Sequence, residues 1–333
     1  MFDPTPLLSG ERRALARLLT RVENSAPEAD EALAALFPHT GRAHIVGVTG
    51  APGTGKSSLV NELAKALRQL NKTVAIVAVD PTSPFTGGAI LGDRIRMRDL
   101  SGDAGVFIRS MASRGALGGL ARTTADVVKV LDAAGFEIVL IETVGAGQAE
   151  VDIARMAQTT VVVEAPGLGD EVQGLKAGIL EIADVLVVNK ADHPGAEAAV
   201  RALRVSLELA PRAARVWRGT PPAAHHHLVP VSALATDDTI EWTPPILTTV
   251  ATQGQGIAEL IDALQRHRAF LRGSGDGPQR ERERLRFELE LRLRDMLLAH
   301  LLARLQTGAL DGMVEKLFTR EIDPASAVKK LLE

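Results

Sequence analysis

Residues 46–67 read VGVTGAPGTGKSSLVNELAKAL, and this stretch decides the fold. Glycine and proline disfavour both helix and sheet interiors, so three glycines and a proline between an apolar run and an amphipathic run are kept for their geometry. Gly50, Gly55, Lys56 and Ser57 fit the spacing G-x-x-x-x-G-K-[ST], with a strand pattern before it and a helix pattern after it. In that context the loop Gly50, Ala51, Pro52, Gly53, Thr54, Gly55, Lys56, Ser57 and Ser58 is expected to surround phosphate oxygens with the backbone N–H groups of its non-proline residues, helped by the positive end of the following helix. Lys56 is expected on the β- and γ-phosphates and the Ser57 hydroxyl on Mg²⁺. The stretch predicts a nucleoside triphosphate site on an α/β fold.

Outward from the loop, apolar strands alternate with amphipathic helices. Strands are expected at 44–49, 73–80, 137–143, 159–165, 184–190 and 245–251. Their near-continuous Val/Ile runs predict burial on both faces, as in a doubly wound, mostly parallel sheet covered by helices. Before them, Leu15, Leu18, Leu19 and Val22 recur at helical spacing, with Ser9 as the expected cap and a second helix from Pro27 to Phe37. After them, LRGSGDGPQ (271–279) reads as a linker and 280–305 as one long helix. Met296, Leu297, Leu298, Leu301, Leu302 and Leu305 give that helix an apolar stretch suited to a homodimer contact. The expected organisation is an N-terminal helical segment (1–42), a nucleotide-binding domain (43–270, with an insertion near 218–243) and a C-terminal helical dimerisation arm (271–333).

Composition narrows the class. The 333 residues carry a net charge of −3, without the basic excess of a nucleic-acid or membrane-surface binder. Cysteine is absent, which removes disulfides and thiolate metal sites and suits a reducing compartment. No apolar run approaches membrane-spanning length and the N-terminus lacks a signal-peptide pattern, so the expected location is cytoplasmic.

The base and the metal follow from strand ends. VVNKAD (187–192) closes a buried run and supplies Asn189, Lys190 and Asp192. A carboxylate can accept from guanine N1–H and N2–H₂, a donor pair adenine lacks, so GTP and GDP are expected over ATP. Asp80 ends the second predicted strand, Glu142 ends the third, and Asp93 lies between them. Ligands bind beyond the carboxyl ends of strands in such sheets, so Ser57, Asp80, Asp93 and Glu142 are the Mg²⁺ candidates, some acting through water. A carboxylate at the end of IVLI would be costly without a partner.

VTGAPGTGKSS, VAVDPTSPFTGGAILGDRIRM, LGGLARTT, AGFEIVLIETVGAGQAEVDIARM and VVNKAD resemble the MeaB/ArgK family of P-loop GTPases, over nearly the whole chain. The resemblance implies assistance to an adenosylcobalamin-dependent acyl-CoA mutase of the methylmalonyl-CoA mutase type, and dimerisation through the C-terminal arm. It places Asp80 and Asp93 in a first switch near the metal and ETVGAGQ (142–148) in a second switch. APGLGDEVQGLK (165–176) falls in a third, where Asp170, Gln173 and Lys176 match residues facing nucleotide or mutase. Lys56, Asp93, Glu142 and Lys176 are thus the candidate catalytic residues. The chain departs from the family at the base loop. Ser232-Ala233 offers a Ser-Ala pair, but the Gly-x-Gly-Ile-x-x-Leu entry to the closing helix places the loop at Val250, Ala251 and Thr252, with valine for serine.

Hydrolysis depends on positioning and charge neutralisation. Ala146 follows the second-switch Gly145, with Gln148 further on, and nothing near the loop is an obvious general base. Slow hydrolysis is therefore expected until the client reshapes the site. Arg94, Arg96 and Arg98 could supply charge or be solvated. His225, His226 and His227 read as a solvated loop rather than a metal site. The competing readings are a nickel-metallochaperone GTPase, which normally uses Cys/His ligands, and a transport-coupled kinase or ATPase, which the guanine motif disfavours.

Overall fold

The structure is a computed structural model that describes residues 2–81, 98–100, 102–113, 119–143, 155–167, 182–209, 242–306 and 308–332. It divides into two compact units, one ending at Arg284 and one beginning at Leu285.

The first unit is built on a seven-stranded sheet. Its strands are β1 (His44–Thr49), β2 (Val74–Pro81), β3 (Val106–Ser113), β4 (Ile138–Thr143), β5 (Thr159–Glu164), β6 (Val185–Val188) and β7 (Ile246–Thr248). They lie in the order β3-β2-β4-β1-β5-β6-β7, and every pairing is parallel. The helices of this unit are α1 (Thr5–Leu8), α2 (Arg12–Glu23), α3 (Pro27–Leu36), α4 (Lys56–Gln69), α5 (Gly119–Ala133), α6 (Ala196–Leu209) and α7 (Ile257–Gly273).

Strand alternation fixes which helix covers which face. Ala75, Val77, Val79, Val139 and Ile141 point to one face, where they pack with Leu15, Leu18, Leu19 and Val22 of α2, Ala32 and Leu36 of α3, and Val127 and Leu131 of α5. Their neighbours Val74, Ile76, Ile138 and Leu140 point the other way, against Leu59, Leu63 and Leu67 of α4 and Leu260 and Leu264 of α7. Leu186 and Val188 of β6 meet Leu203 of α6. Every described residue of β6 is fully buried, so this four-residue strand is apolar on both sides.

Several expectations change. The sheet has a strand the sequence pattern did not reveal, β3, at the edge beside β2. Glu142 therefore ends the fourth strand rather than the third. Ser9 does not open α2: it closes α1, its hydroxyl donating to the Pro6 carbonyl at 3.0 Å, and α2 begins at Arg12. The expected linker at 271–279 is largely helical, because α7 runs to Gly273 and the next helix, α8 (Asp276–Arg304), starts three residues later. The expected insertion around 218–243 lies outside the described residues except for its last two positions.

The second unit holds the remainder of α8, α9 (Ala309–Phe318) and α10 (Pro324–Leu332). Within α8, Arg292 pairs with Glu288 one helical turn earlier at 3.0 Å. No helix among the described residues is long and apolar enough to cross a membrane.

Candidate functional site

β1 is the middle strand, and the chain leaves it toward β2 on one side while β5 lies on the other. Its carboxyl end is thus the switch point where an open α/β sheet leaves a crevice. The glycine loop sits there. Gly50, Gly53 and Gly55 adopt φ of 138°, 80° and 89°, a region that side-chain-bearing residues rarely enter. Two of them are also pressed. A Cβ on Gly50 would overlap the carbonyl oxygen of Val163 in β5, and one on Gly55 would overlap the Asn189 amide. Gly55 is the N-cap of α4, so the unpaired N–H groups of the first helical turn open onto the loop.

Lys56 is buried and its ammonium donates to the carbonyls of Gly50 (2.7 Å) and Ala51 (2.8 Å). Thr54, also buried, donates its hydroxyl to the same Ala51 carbonyl at 3.0 Å. Ala51 and Ser57 are half-buried, while Pro52, Gly53 and Ser58 are exposed. The Ser57 hydroxyl donates to Oε1 of Glu142, which the parallel pairing of β4 with β1 brings alongside the loop. A hydroxyl and a carboxylate, both oxygen donors, fit a hard divalent cation such as Mg²⁺.

The base motif closes the crevice from β6. Asn189 is buried and bonds three segments: its amide donates to the Thr54 carbonyl (2.9 Å), and its Oδ1 accepts from the Thr249 hydroxyl (3.0 Å) and the Ala251 N–H (3.1 Å). Lys190 holds a left-handed backbone at φ 57° and its ammonium donates to the Gly53 carbonyl at 2.8 Å. A turn follows, closed by the His193 N–H on the Lys190 carbonyl, with Asp192 exposed within it. Val250 and Ala251 are buried and Thr252 exposed, in a tight loop pinned by a bridge between Val250 and Gln255.

Four sequence-distant segments, 50–58, 142, 189–192 and 249–252, thus converge at one end of the sheet. Thr249 was not foreseen; its position just before the base loop was the available signal. Asp80 pairs through its backbone with Ala112 near the end of β2, and its side chain lies outside the described part. Asp93, Lys176, Asp170, Gln173, residues 144–148, His225–His227 and Ser232-Ala233 lie outside the described residues.

Comparison with known proteins gives a consistent result. The family model described as methylmalonyl-CoA mutase-associated GTPase MeaB matches residues 15–306. A protein of Pyrococcus abyssi named as a GTPase is 45% identical over 324 residues, covering 97% of this chain and 93% of that one. GTPase ArgK of Escherichia coli is 34% identical over 304 residues, covering 89% and 84%. The methylmalonic aciduria type A homolog of Mus musculus, a mitochondrial protein, is 32% identical over 295 residues, covering 82% and 64%. Among solved structures, one titled LAO/AO transport system kinase superposes with a TM-score of 0.65 at 26% identity, covering 98% and 94%.

Proposed function

Because the chain belongs to the MeaB family of methylmalonyl-CoA mutase-associated GTPases, we propose that it is a GTP-binding and GTP-hydrolysing chaperone. Its client is an adenosylcobalamin-dependent acyl-CoA mutase, whose cofactor loading, protection or reactivation it gates. The observation that carries the nucleotide half of this reading is the Asn189 side chain. It ties the phosphate loop, at Thr54, to the loop at 249–251, so phosphate and base recognition share one buried hub. Asp192 reads the guanine N1–H and N2–H₂, and the backbone at Val250, Ala251 and Thr252 borders the base.

The residues divide the chemistry. The loop from Gly50 to Ser58 holds the phosphates through its backbone, and Lys56 moves its ammonium from the loop carbonyls to the β- and γ-phosphate oxygens. Ser57 and Glu142, with Asp80 and Asp93, would hold Mg²⁺, some of them through water. The chemistry that ion supplies is charge neutralisation on the phosphate oxygens. Lys176 belongs to the segment through which the client adjusts turnover. The names of the mouse and Escherichia coli relatives, one carrying methylmalonic aciduria and one GTPase, support the same reading. We place the protein in the cytoplasm as a homodimer joined through its C-terminal helices.

The test is the GTPase rate of the purified protein with and without a purified methylmalonyl-CoA mutase. A client that acts on the switches must bind the GTP and GDP states differently, and the coupling is reciprocal. Stimulation of the wild type and a weakened response in Lys176→Ala are expected. A rate indifferent to every adenosylcobalamin-dependent mutase tried would remove the client from the account.

A further inference from the structure

At the opposite end of the sheet from the glycine loop, a run of buried polar side chains crosses five elements. His44 opens β1, and its Nε2 lies 2.7 Å from the Thr159 hydroxyl, which opens β5. That hydroxyl lies 2.8 Å from Nδ1 of His267 in α7, and Nε2 of His267 lies 3.1 Å from Oδ1 of Asp184. Asp184 immediately precedes β6, and its Oδ1 also accepts from Arg280, in the first turns of α8, at 3.2 Å. The second oxygen of Asp184 accepts the Thr160 N–H at 2.8 Å, and its carbonyl accepts the Trp242 indole N–H at 2.8 Å. Trp242 and Phe270 cover His267 with ring centroids 4.8 and 6.2 Å away.

With a neutral His267 the hydrogen bonds run in a single direction. With His267 donating from Nε2 to the carboxylate, its Nδ1 accepts from Thr159, and Thr159 accepts from Nε2–H of His44. His44, Thr159, His267 and Asp184 are each at most 4% exposed, so water does not compete for these bonds.

β6 makes this chain more than a structural repair. Asp184 fixes its entry and Asn189 fixes its exit, the Asn189 N–H bonding the Glu164 carbonyl at 2.8 Å. The two residues are separated only by four fully buried apolar ones, about 17 Å of extended chain. A short strand packed on both faces and held by polar side chains at both ends shifts as a unit. We propose that the His44–Thr159–His267–Asp184–Arg280 chain is a coupling element, through which the position of the α8 root is transmitted along β6 to the base-reading residues Asn189 to Asp192. The role assigned to 189–192 rests on the guanine-site reading above; the mechanical link does not.

Hydrogen exchange of the full-length protein without nucleotide tests the link, because local opening is read amide by amide. Arg280→Ala should speed exchange at least fivefold both in residues 276–284 and in 185–192. Arg280→Lys, which keeps a cation for Asp184, should fall between it and wild type. Arg284→Ala, which removes the neighbouring pair with Glu281 and leaves the Arg280–Asp184 contact in place, should leave 185–192 unchanged. GDP release should be several-fold faster in Arg280→Ala. If Arg280→Ala speeds 276–284 but leaves 185–192 at the wild-type rate, or changes neither, the coupling is wrong. If that variant loosens globally, Arg280→Lys is read in its place by the same criteria. A wild type that binds no guanine nucleotide would overturn the guanine reading while leaving the exchange result decisive for the link.

Discussion

Gly50 is held where a side chain has no room, with φ at 138° and the Val163 carbonyl against the position of a Cβ. Gly50→Ala should destabilise the protein by about 2 kcal/mol or more, since strained backbone alone costs about 1–3 kcal/mol. Urea unfolding measures this, and an unchanged midpoint would mean that the loop is looser than described. His44 gives a second residue-scale prediction. Burial first, then nearby positive charge with Arg268 foremost, lowers its pKa from 6.5 to about 3, against the opposing pull of Asp184. The folded protein therefore keeps the imidazole neutral while the unfolded chain protonates it. Stability from this group is complete above pH 6.5 and falls toward pH 3, at up to about 1.4 kcal/mol per pH unit. His44→Gln should flatten stability between pH 6.5 and 5, measured by urea titration at each pH; an unchanged slope would assign the loss to other groups. The glycine loop and Asn189–Asp192 were legible because each is a local spacing. The His44 chain was not, since its first two links join residues 115 and 108 positions apart in sequence.

Among elements, β3 shows where pattern reading stops. VFIRSMAS places Arg109 and two serines in an edge strand, so it lacks the unbroken apolar run that marked the inner strands. Arg109 is accommodated by Glu23 of α2, a partner that no local pattern could supply. The junction of α7 and α8 was misread for a related reason. Glycines at 273, 275 and 277 suggested a linker, yet only Ser274 and Gly275 separate the helices. A truncation that spares the first unit must therefore cut within α8, after Arg284. Leu289, Leu293, Met296 and Phe318 are 55–82% exposed in the second unit, too much apolar surface for helices in water. A chain ending at Arg284 keeps Arg280 and the whole first unit. It should be a nucleotide-binding monomer by light scattering, whereas the full chain should be a dimer. A truncated chain that remained dimeric would move the interface to the first unit.

For the whole molecule, alternating apolar strands and helices predicted the parallel α/β architecture, and period-two burial on β2 and β4 realises it. Strand order was not legible, because the pattern that buries a strand on both faces is the same at every interior position. That order nevertheless makes the site, by placing β1 between β4, which brings Glu142, and β5, whose Val163 presses on Gly50. β6 stands one strand further out and carries Asn189 back to the loop. The central claim is that this convergence selects guanine nucleotides. Calorimetric titration of the full-length protein with GDP, GTP and ATP in the presence of Mg²⁺ tests it most directly, with Asp192→Asn alongside. The account predicts binding of the guanine nucleotides, ATP weaker by at least tenfold, and a loss of about 1–3 kcal/mol of guanine affinity in Asp192→Asn. Equal affinity for ATP and GTP in the wild type, or an Asp192→Asn protein that binds GTP unchanged, would contradict it.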